Sequence, residues 1–180
     1  MTTWRVLAGT ATVYLTMVLL TGCDDGKQDA SRETDSVSLP TGFFLQSQPP
    51  QAKSVEEVKK SAKTGDVVTM RGRIGGSKEP FVDGRAVFTL MGLGLPACGE
   101  GVSNDGCTTP WDYCCEPSKE IAAHQASIQI ADAAGAPLHL SLKGQSGLKE
   151  LGDLVVVGRV QKAEGDLLVI DATGVYVIDQ

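Results

Sequence analysis

Four of the five cysteines in this 180-residue chain fall within one stretch of 18 residues. They are Cys98, Cys107, Cys114 and Cys115, and the last two are adjacent. Closely spaced thiols can form disulfides, bind a thiophilic metal ion or carry out redox chemistry. The type and spacing of these residues make this stretch, within a loop predicted over residues 92–117, the main candidate for the chemistry of the chain.

Disulfide formation is the first of the three possibilities. Thiols outside the cytoplasm oxidise, and four cysteines allow three pairings. Cys114 and Cys115 could bridge each other only with strained geometry, so we expect each of them to pair with Cys98 or Cys107. Each bridge would close a short loop and contribute about 2–3 kcal/mol. Two such bridges would make the loop a stapled surface for recognising a partner.

A metal site is the second possibility. Four thiolates suit zinc or copper(I), although the spacing lacks the common Cys-x2-Cys pairs. His124 follows Cys115 by nine residues and could replace one thiolate. Asp105, Asp112 and Glu116 lie nearby as harder ligands, or as acceptors of hydrogen bonds from the ligating residues.

A redox-active thiol pair is the third possibility, and the local charge disfavours it. Reactive cysteines need nearby positive charge to lower their pKa, whereas this stretch carries Glu100, Asp105, Asp112 and Glu116. The chain also lacks the Gly-x-Ser-x-Gly, His-Glu-x-x-His and Gly-x4-Gly-Lys-Ser/Thr motifs. The sequence therefore predicts a protein that is not an enzyme.

Five further residues are candidates for a binding surface. Trp111, Asp112 and Tyr113 could form an aromatic platform for a sugar, a peptide or a base, or could pack the loop onto the rest of the domain. Arg71 and Arg73 alternate along a predicted strand, where they could bind a ligand or form cross-strand ion pairs. A net charge of −6 argues against nucleic acid as the partner.

The first 23 residues of the chain predict its cellular location. Arg5 is followed by an apolar run over 6–20, which is shorter than the roughly 20 residues that span a bilayer. The segment Leu20-Thr21-Gly22-Cys23 then resembles the lipobox of bacterial lipoproteins. This resemblance implies a signal peptide over 1–22, a lipid on Cys23 and a chain anchored to the cell membrane, facing the periplasm or exterior.

A polar segment separates the predicted anchor from the domain. Residues 23–53 are rich in Asp, Ser, Gln and Pro, which predicts a lipidated flexible tether. Phe43, Phe44 and Leu45 are the apolar exception in this segment, and they could either dock on the domain or remain exposed.

The domain over 54–180 has the patterning of a small β-barrel. Ser54 and Glu57 form a capping box that predicts an N-terminal helix. Period-2 alternation over 67–74, 86–90, 127–131 and 138–142, with an apolar run over 154–160 and a last strand over 167–178, predicts five or six antiparallel strands. A short helix is expected before the penultimate strand. The runner-up is another small barrel or a sandwich.

Two stretches carry a resemblance to a known fold. Residues 65–74 resemble the first strand of an OB-fold, and residues 154–160 resemble the strand after the OB helix. The resemblance implies an OB-like barrel holding the cysteine-rich loop. Within that loop, Pro-Trp-Asp-Tyr-Cys-Cys-Glu-Pro over 110–117 is similar to a motif of uncharacterised secreted bacterial proteins, which implies no activity.

Together these features favour a membrane-anchored lipoprotein without a cofactor. Its OB-like domain would bind or scaffold an envelope protein or peptide through the disulfide-stapled loop. The alternative is a zinc- or copper(I)-binding protein that uses the four loop cysteines, with His124 as a further ligand.

Overall fold

A computed structural model describes residues 37–101 and 106–178. The predicted signal peptide over 1–22, Cys23 and the first part of the predicted tether lie outside these ranges, so they stay predictions. Within the described ranges, no helix combines the length and apolar character needed to cross a bilayer.

The predicted N-terminal helix is present as α1 (Val55–Ser61). Its capping box is complete, because Ser54 Oγ accepts a hydrogen bond from the Glu57 backbone N–H at 3.2 Å and Glu57 Oε2 accepts one from the Ser54 N–H at 2.7 Å. Lys59 Nζ on this helix donates to the carbonyl oxygens of Ala122 and Gln125 at 2.7 and 2.8 Å. Helix α1 thereby holds the end of α2 (Ser118–His124).

Six strands of the described residues form one sheet, and five of them close into a barrel. The two-residue β1 (Lys53–Ser54) lies outside the closed circuit, which runs in the order β2-β3-β4-β6-β5 and returns to β2. The five barrel strands are β2 (Val67–Ile74), β3 (Val87–Met91), β4 (Gln125–Gln129), β5 (Asp153–Glu164) and β6 (Leu167–Val177).

The predicted fold class, a mainly β, OB-like barrel, is confirmed. The short helix expected before the penultimate strand is a 3-10 turn over Gln145–Gly147, ahead of β5. Inward-facing side chains of the five barrel strands fill the interior, together with Val55 and Val58 of α1 and the leucines at 142 and 148. The loop between β3 and β4 carries the cysteines.

The prediction of purely antiparallel strands is wrong. Strand β4 pairs with β6 in parallel, with Ser127 opposite Val169 and Ile128 opposite Ile170, and β1 pairs with β2 in parallel. Short connections dictate antiparallel pairing only between consecutive strands. Because β6 returns from β5 through a tight turn and then closes the circuit, it lies beside β4 with the same direction.

The predicted strand over 138–142 is also absent. The pairing expected with the segment before it is reduced to one bridge between Ala131 and Pro137. Leu142 is buried, and Leu138 and Leu140 pack against the core from half-buried positions. The alternation of these leucines therefore reflects packing onto the barrel without a sheet ladder.

Three apolar residues within the segment predicted as a tether, Phe43, Phe44 and Leu45, dock on the barrel. Phe43 is only 2% exposed and belongs to the barrel core, with Phe44 edge-on to it at 5.4 Å between ring centres. The Leu45 N–H donates to Val175 O at 2.8 Å, and the Val175 N–H donates to Phe43 O at 2.9 Å. The apolar residues of this segment remove more surface from water by docking on β6 than by staying in a tether.

Candidate metal centre

The four cysteines of the loop converge on one another. Cys98 Sγ lies 2.8 Å from Cys115 Sγ and 3.7 Å from Cys114 Sγ, and Cys107 Sγ lies 3.8 Å from Cys114 Sγ. A disulfide needs sulfurs about 2.05 Å apart. The predicted disulfides are therefore not formed among these described cysteines, which gather instead into a cluster of thiols.

Three of the thiols form a set with a carboxylate. Ligand atoms of Cys98, Cys107, Cys114 and Asp112 all lie within 4.8 Å of one another. Such a spacing lets one ion contact every member of the set. Asp112 was one of several carboxylates that the sequence offered, and the fold selects it because it immediately precedes the turn that carries Cys114.

His124 does not join this set. It stands at the end of α2, where its Nδ1 lies 2.8 Å from Glu120 O and its Nε2 lies 3.6 Å from Glu56 Oε1. Helix α2 begins three residues after Cys115, and the ring at its far end faces α1. His124 therefore lies outside this set, and the ligand atom beside the three thiols is that of Asp112.

The cysteine loop, residues 92–117, is described over 92–101 and 106–117, and its residue Trp111 lies close against the end of β2. The Gly76 N–H donates to Trp111 O at 2.7 Å, and Trp111 Nε1–H donates to Lys78 O at 3.0 Å. A Cβ at Gly75 would lie only 2.7 Å from Trp111 O, so glycine is required there for this approach. Trp111 thus packs the loop onto the barrel.

Tyr113, between Asp112 and Cys114 in the chain, is buried in the domain. It follows the 3-10 turn Pro110–Asp112 in a left-handed conformation with φ of +58°, which is strained for a non-glycine residue. Its side chain is 1% exposed and belongs to a small apolar cluster with Met91 and Ala97. Burial raises the pKa of Tyr113 to about 12. The ring is a plug for the loop and presents no face to a ligand.

Asp112 shapes the turn that carries two of the thiols. Its Oδ1 accepts from the Cys114 N–H at 2.9 Å and its Oδ2 accepts from the Thr109 hydroxyl at 2.8 Å. Desolvation opposes ionisation, but these hydrogen bonds and the charge of Lys78 lower the pKa of Asp112. The carboxylate is thus ionised, and each oxygen keeps a further lone pair for a cation.

The thiols differ in exposure and in acidity. Cys98 is buried, and burial opposes its ionisation, but hydrogen bonds from the Cys115 thiol and N–H and from Cys114 and Cys107 lower its pKa. Cys114 and Cys115 are exposed. Hydrogen bonding to Asp112 and Cys98 raises the pKa of Cys114, and hydrogen bonding to Cys98 raises that of Cys115. Cys98 therefore ionises more readily than Cys114 or Cys115.

The two candidate arginines form ion pairs. Arg73 Nε lies 2.8 Å from Asp153 Oδ1, and its Nη1 lies 2.8 Å from Glu100 Oε2. Arg71, which is 43% exposed, reaches Asp153 only at 3.5 Å. Glu100 also accepts from the Ala97 N–H at 3.0 Å, so Arg73 links the cysteine loop to the barrel wall.

Sequence reasoning did not single out Asp153, Thr109 or the linking role of Glu100. Asp153 begins the apolar strand β5, and a lone acid at such a position is a usable signal for a buried ion-pair partner. Thr109 and Asp112 are three residues apart, the spacing of local side-chain hydrogen bonds that shape turns.

Comparison of the chain with protein-family models, with curated proteins and with solved structures finds no match.

Proposed function

We propose that this protein binds one thiophilic metal ion, zinc in the first place, through Cys98, Cys107, Cys114 and Asp112. The role is binding, for storage or transfer of the ion, and involves no catalysis. The observation that carries the proposal is the spacing of the sulfurs.

The spacing fits the edge of a metal–thiolate polyhedron. Sulfurs about 2.3 Å from a tetrahedral zinc ion are separated by about 3.8 Å. The Cys98–Cys114 and Cys107–Cys114 separations are 3.7 and 3.8 Å. Both values are far from the length of a disulfide bond and match two edges of such a tetrahedron.

Asp112 favours zinc over copper(I). Zinc accepts carboxylate oxygen beside thiolate sulfur, whereas copper(I) prefers sulfur alone. The lowered pKa of Asp112 keeps this oxygen donor ionised. Copper(I) would instead use the three thiolates, with Asp112 as a hydrogen-bonding residue that holds the turn.

A metal titration with spectroscopy tests the proposal. The full chain is purified in detergent under reducing, oxygen-free conditions as a Cys23→Ser variant, so that only the loop thiols remain. We expect one zinc per chain by elemental analysis. Cobalt(II) in its place should give the visible bands of a tetrahedral site and sulfur-to-cobalt charge-transfer bands of three thiolates.

Matched variants assign the ligands. Cys107→Ser should weaken zinc binding by about 100-fold because it removes one thiolate, and Asp112→Asn should weaken zinc while leaving copper(I) binding in place. His124→Ala should bind like the parent, because its ring faces α1. Less than a tenth of an ion per chain for both metals, or loss of binding in His124→Ala, would contradict the proposal.

We further propose that the chain is a lipoprotein that holds this site at the outer side of the cell membrane. The support is the lipobox-like Leu20-Thr21-Gly22-Cys23 after an apolar run. Cys23→Ala should move the protein from the membrane fraction to the soluble fraction. Unchanged membrane attachment of that variant would refute the lipid anchor.

A partner in the envelope, protein or peptide, stays a prediction from the sequence. Two of the residues expected to contact such a partner are engaged within the domain. Tyr113 is buried, and Trp111 donates a hydrogen bond to Lys78 O in the β2–β3 connection. The exposed thiols of Cys114 and Cys115 leave the ion close to the surface, where a partner could receive it.

A further inference from the structure

We propose that Cys115 is a redox switch that releases the metal ion by forming a disulfide with Cys98. This inference rests on the proposed metal site and concerns its regulation. It rests on Cys115, the one cysteine of the loop that does not belong to the proposed metal set.

Cys115 lies at the cluster but outside the metal set. The set consists of Cys98, Cys107, Cys114 and Asp112, whereas the nearest sulfur to Cys115 Sγ is that of Cys98, at 2.8 Å. This is less than the contact distance of two unbonded sulfurs and about 0.8 Å longer than a disulfide bond. A small movement would therefore complete the bond.

Cys98 belongs to both arrangements, and it can serve only one at a time. As a thiolate it is a ligand of the ion, and as half of a disulfide it has no charge with which to hold it. The Cys115 N–H also points at Cys98 Sγ, at 3.4 Å, which keeps the two residues in register. Metal binding and the Cys98–Cys115 bond are thus mutually exclusive.

Exposure gives the two sulfurs different roles. Cys115 is exposed and can meet a small disulfide from solution, while Cys98 is 8% exposed and cannot do so readily. We therefore assign the first exchange to Cys115. Cys98 then acts as the internal nucleophile that resolves the mixed disulfide.

The chemistry balances with a low-molecular-weight disulfide, RSSR, as the oxidant. The Cys115 thiol attacks RSSR, which forms Cys115–S–S–R and releases RSH. The metal-bound Cys98 thiolate then attacks Cys115 Sγ, so that the Cys98–Cys115 bond forms, the S–S bond to R breaks and RS⁻ departs. Two electrons pass from the protein sulfurs to RSSR, and the ion loses one thiolate ligand.

The expected consequence is release of the ion. Zinc affinity is built from contributions of about four ligands, so losing one thiolate should weaken binding by about 100-fold. The remaining pair, Cys107 and Cys114, is 3.8 Å apart and could oxidise in a second, slower step. A reductant should reverse the first step and restore the site.

Oxidation of the zinc-loaded chain tests the switch. The full chain with Cys23→Ser is loaded with zinc and treated with oxidised glutathione while a chromogenic chelator reports free zinc. We expect one zinc released for two thiols consumed. Acid quenching, alkylation and peptide mapping should find Cys98 linked to Cys115 at the point of release.

The Cys115→Ser variant separates the switch from the site. It should bind zinc like the parent and release it about tenfold more slowly under the same oxidant, since the buried Cys98 has lost its exposed partner. Release at the parent rate, or a first disulfide between Cys107 and Cys114, would overturn the switch. Failure of Cys115→Ser to bind zinc would also overturn it, because Cys115 would then be a ligand.

Failure of the proposed function is a different result. A parent chain that binds neither zinc nor copper(I) under reducing conditions refutes the metal site itself. A parent chain that binds zinc, while Cys115→Ser behaves identically under oxidation, leaves the metal site standing and removes only the switch.

Discussion

The barrel and the cysteine loop are held by different kinds of interaction. The barrel is closed by ladders between five strands, the longest of them between β5 and its neighbours β2 and β6, over an apolar interior. In its described residues, the cysteine loop packs Ala97 and Tyr113 against Met91 at the end of β3 and is otherwise attached by single hydrogen bonds and one ion pair, between Arg73 and Glu100. Burial of apolar surface dominates stability, while single polar contacts contribute modestly.

This contrast separates stability from chemistry. Changes in the barrel interior should alter the free energy of unfolding and leave the thiol cluster intact as long as the chain is folded. Changes at the attachment points of the loop should cost less stability and should move the sulfurs. Four substitutions can test that division, and the first of them, in the barrel core, should have the largest effect.

Phe43→Ala should lower the free energy of unfolding by about 3 kcal/mol, because it leaves a cavity in the barrel core. Zinc stoichiometry of the folded protein should not change. Denaturant unfolding and metal analysis measure the two quantities. Gln46→Ala is the control, since that side chain is exposed and makes only a 3.4 Å contact with Phe44 O. Equal effects of the two substitutions would show that this segment is not docked.

Arg73→Met should lower the free energy of unfolding by about 2 kcal/mol, because it leaves the largely buried Asp153 without its closest cation. It should also weaken zinc binding, because it releases Glu100 of the loop. Arg71→Met removes a longer, exposed contact and should change stability by less than about 0.5 kcal/mol. Chemical denaturation of both variants measures the difference, and similar values would break the contrast.

Gly75→Ala should lower the free energy of unfolding by about 1–2 kcal/mol, because the added Cβ collides with Trp111 O and the ring of Tyr113. The loop must shift to relieve this contact. The free energy of zinc binding should therefore change by more than the free energy of unfolding. Gly84→Ala offers a comparison with open space around the Cβ, where only the positive φ is strained. Isothermal titration should find weakened binding in the first variant alone.

Trp111→Phe should have the smallest effect on the free energy of unfolding, a decrease of about 1 kcal/mol or less. It removes one hydrogen bond to Lys78 O and keeps an aromatic ring at the position. Faster hydrogen exchange should appear at the Gly76 N–H, which donates to Trp111 O, and not in β5 or β6. Uniformly faster exchange would mean that the loop and the barrel open together.

Local features of the fold were predictable because their signals are local. Ser54 and Glu57 have the types and spacing of a capping box, which predicts the start of α1. The alternation of side chains over 67–74 predicts β2. The parallel neighbours β4 and β6 were not predictable, since nothing in either strand indicates a partner so distant in sequence. The leucines over 138–142 show that a period of two also arises from packing without a ladder.

The candidate site was half predictable. Four cysteines in one stretch revealed the cluster, but spacing alone could not choose Asp112 over His124. That choice depends on the turn at Tyr113, whose left-handed conformation no residue type signals, and on the direction in which α2 departs. A buried Tyr113 likewise follows from the small apolar cluster beneath the loop, which forms only after β3 is in place.

Strand β6 has a consequence for the order of folding. It pairs with β4 and β5. The backbone of its Val175 also forms hydrogen bonds with Phe43 and Leu45, which lie more than a hundred residues earlier in the chain. The sulfurs, in contrast, meet across fewer than twenty residues. Short loops close at lower entropic cost and sooner than long ones. We therefore expect the thiols to meet while the barrel is still open, so a metal ion or an oxidant would encounter them before the last strand is in place.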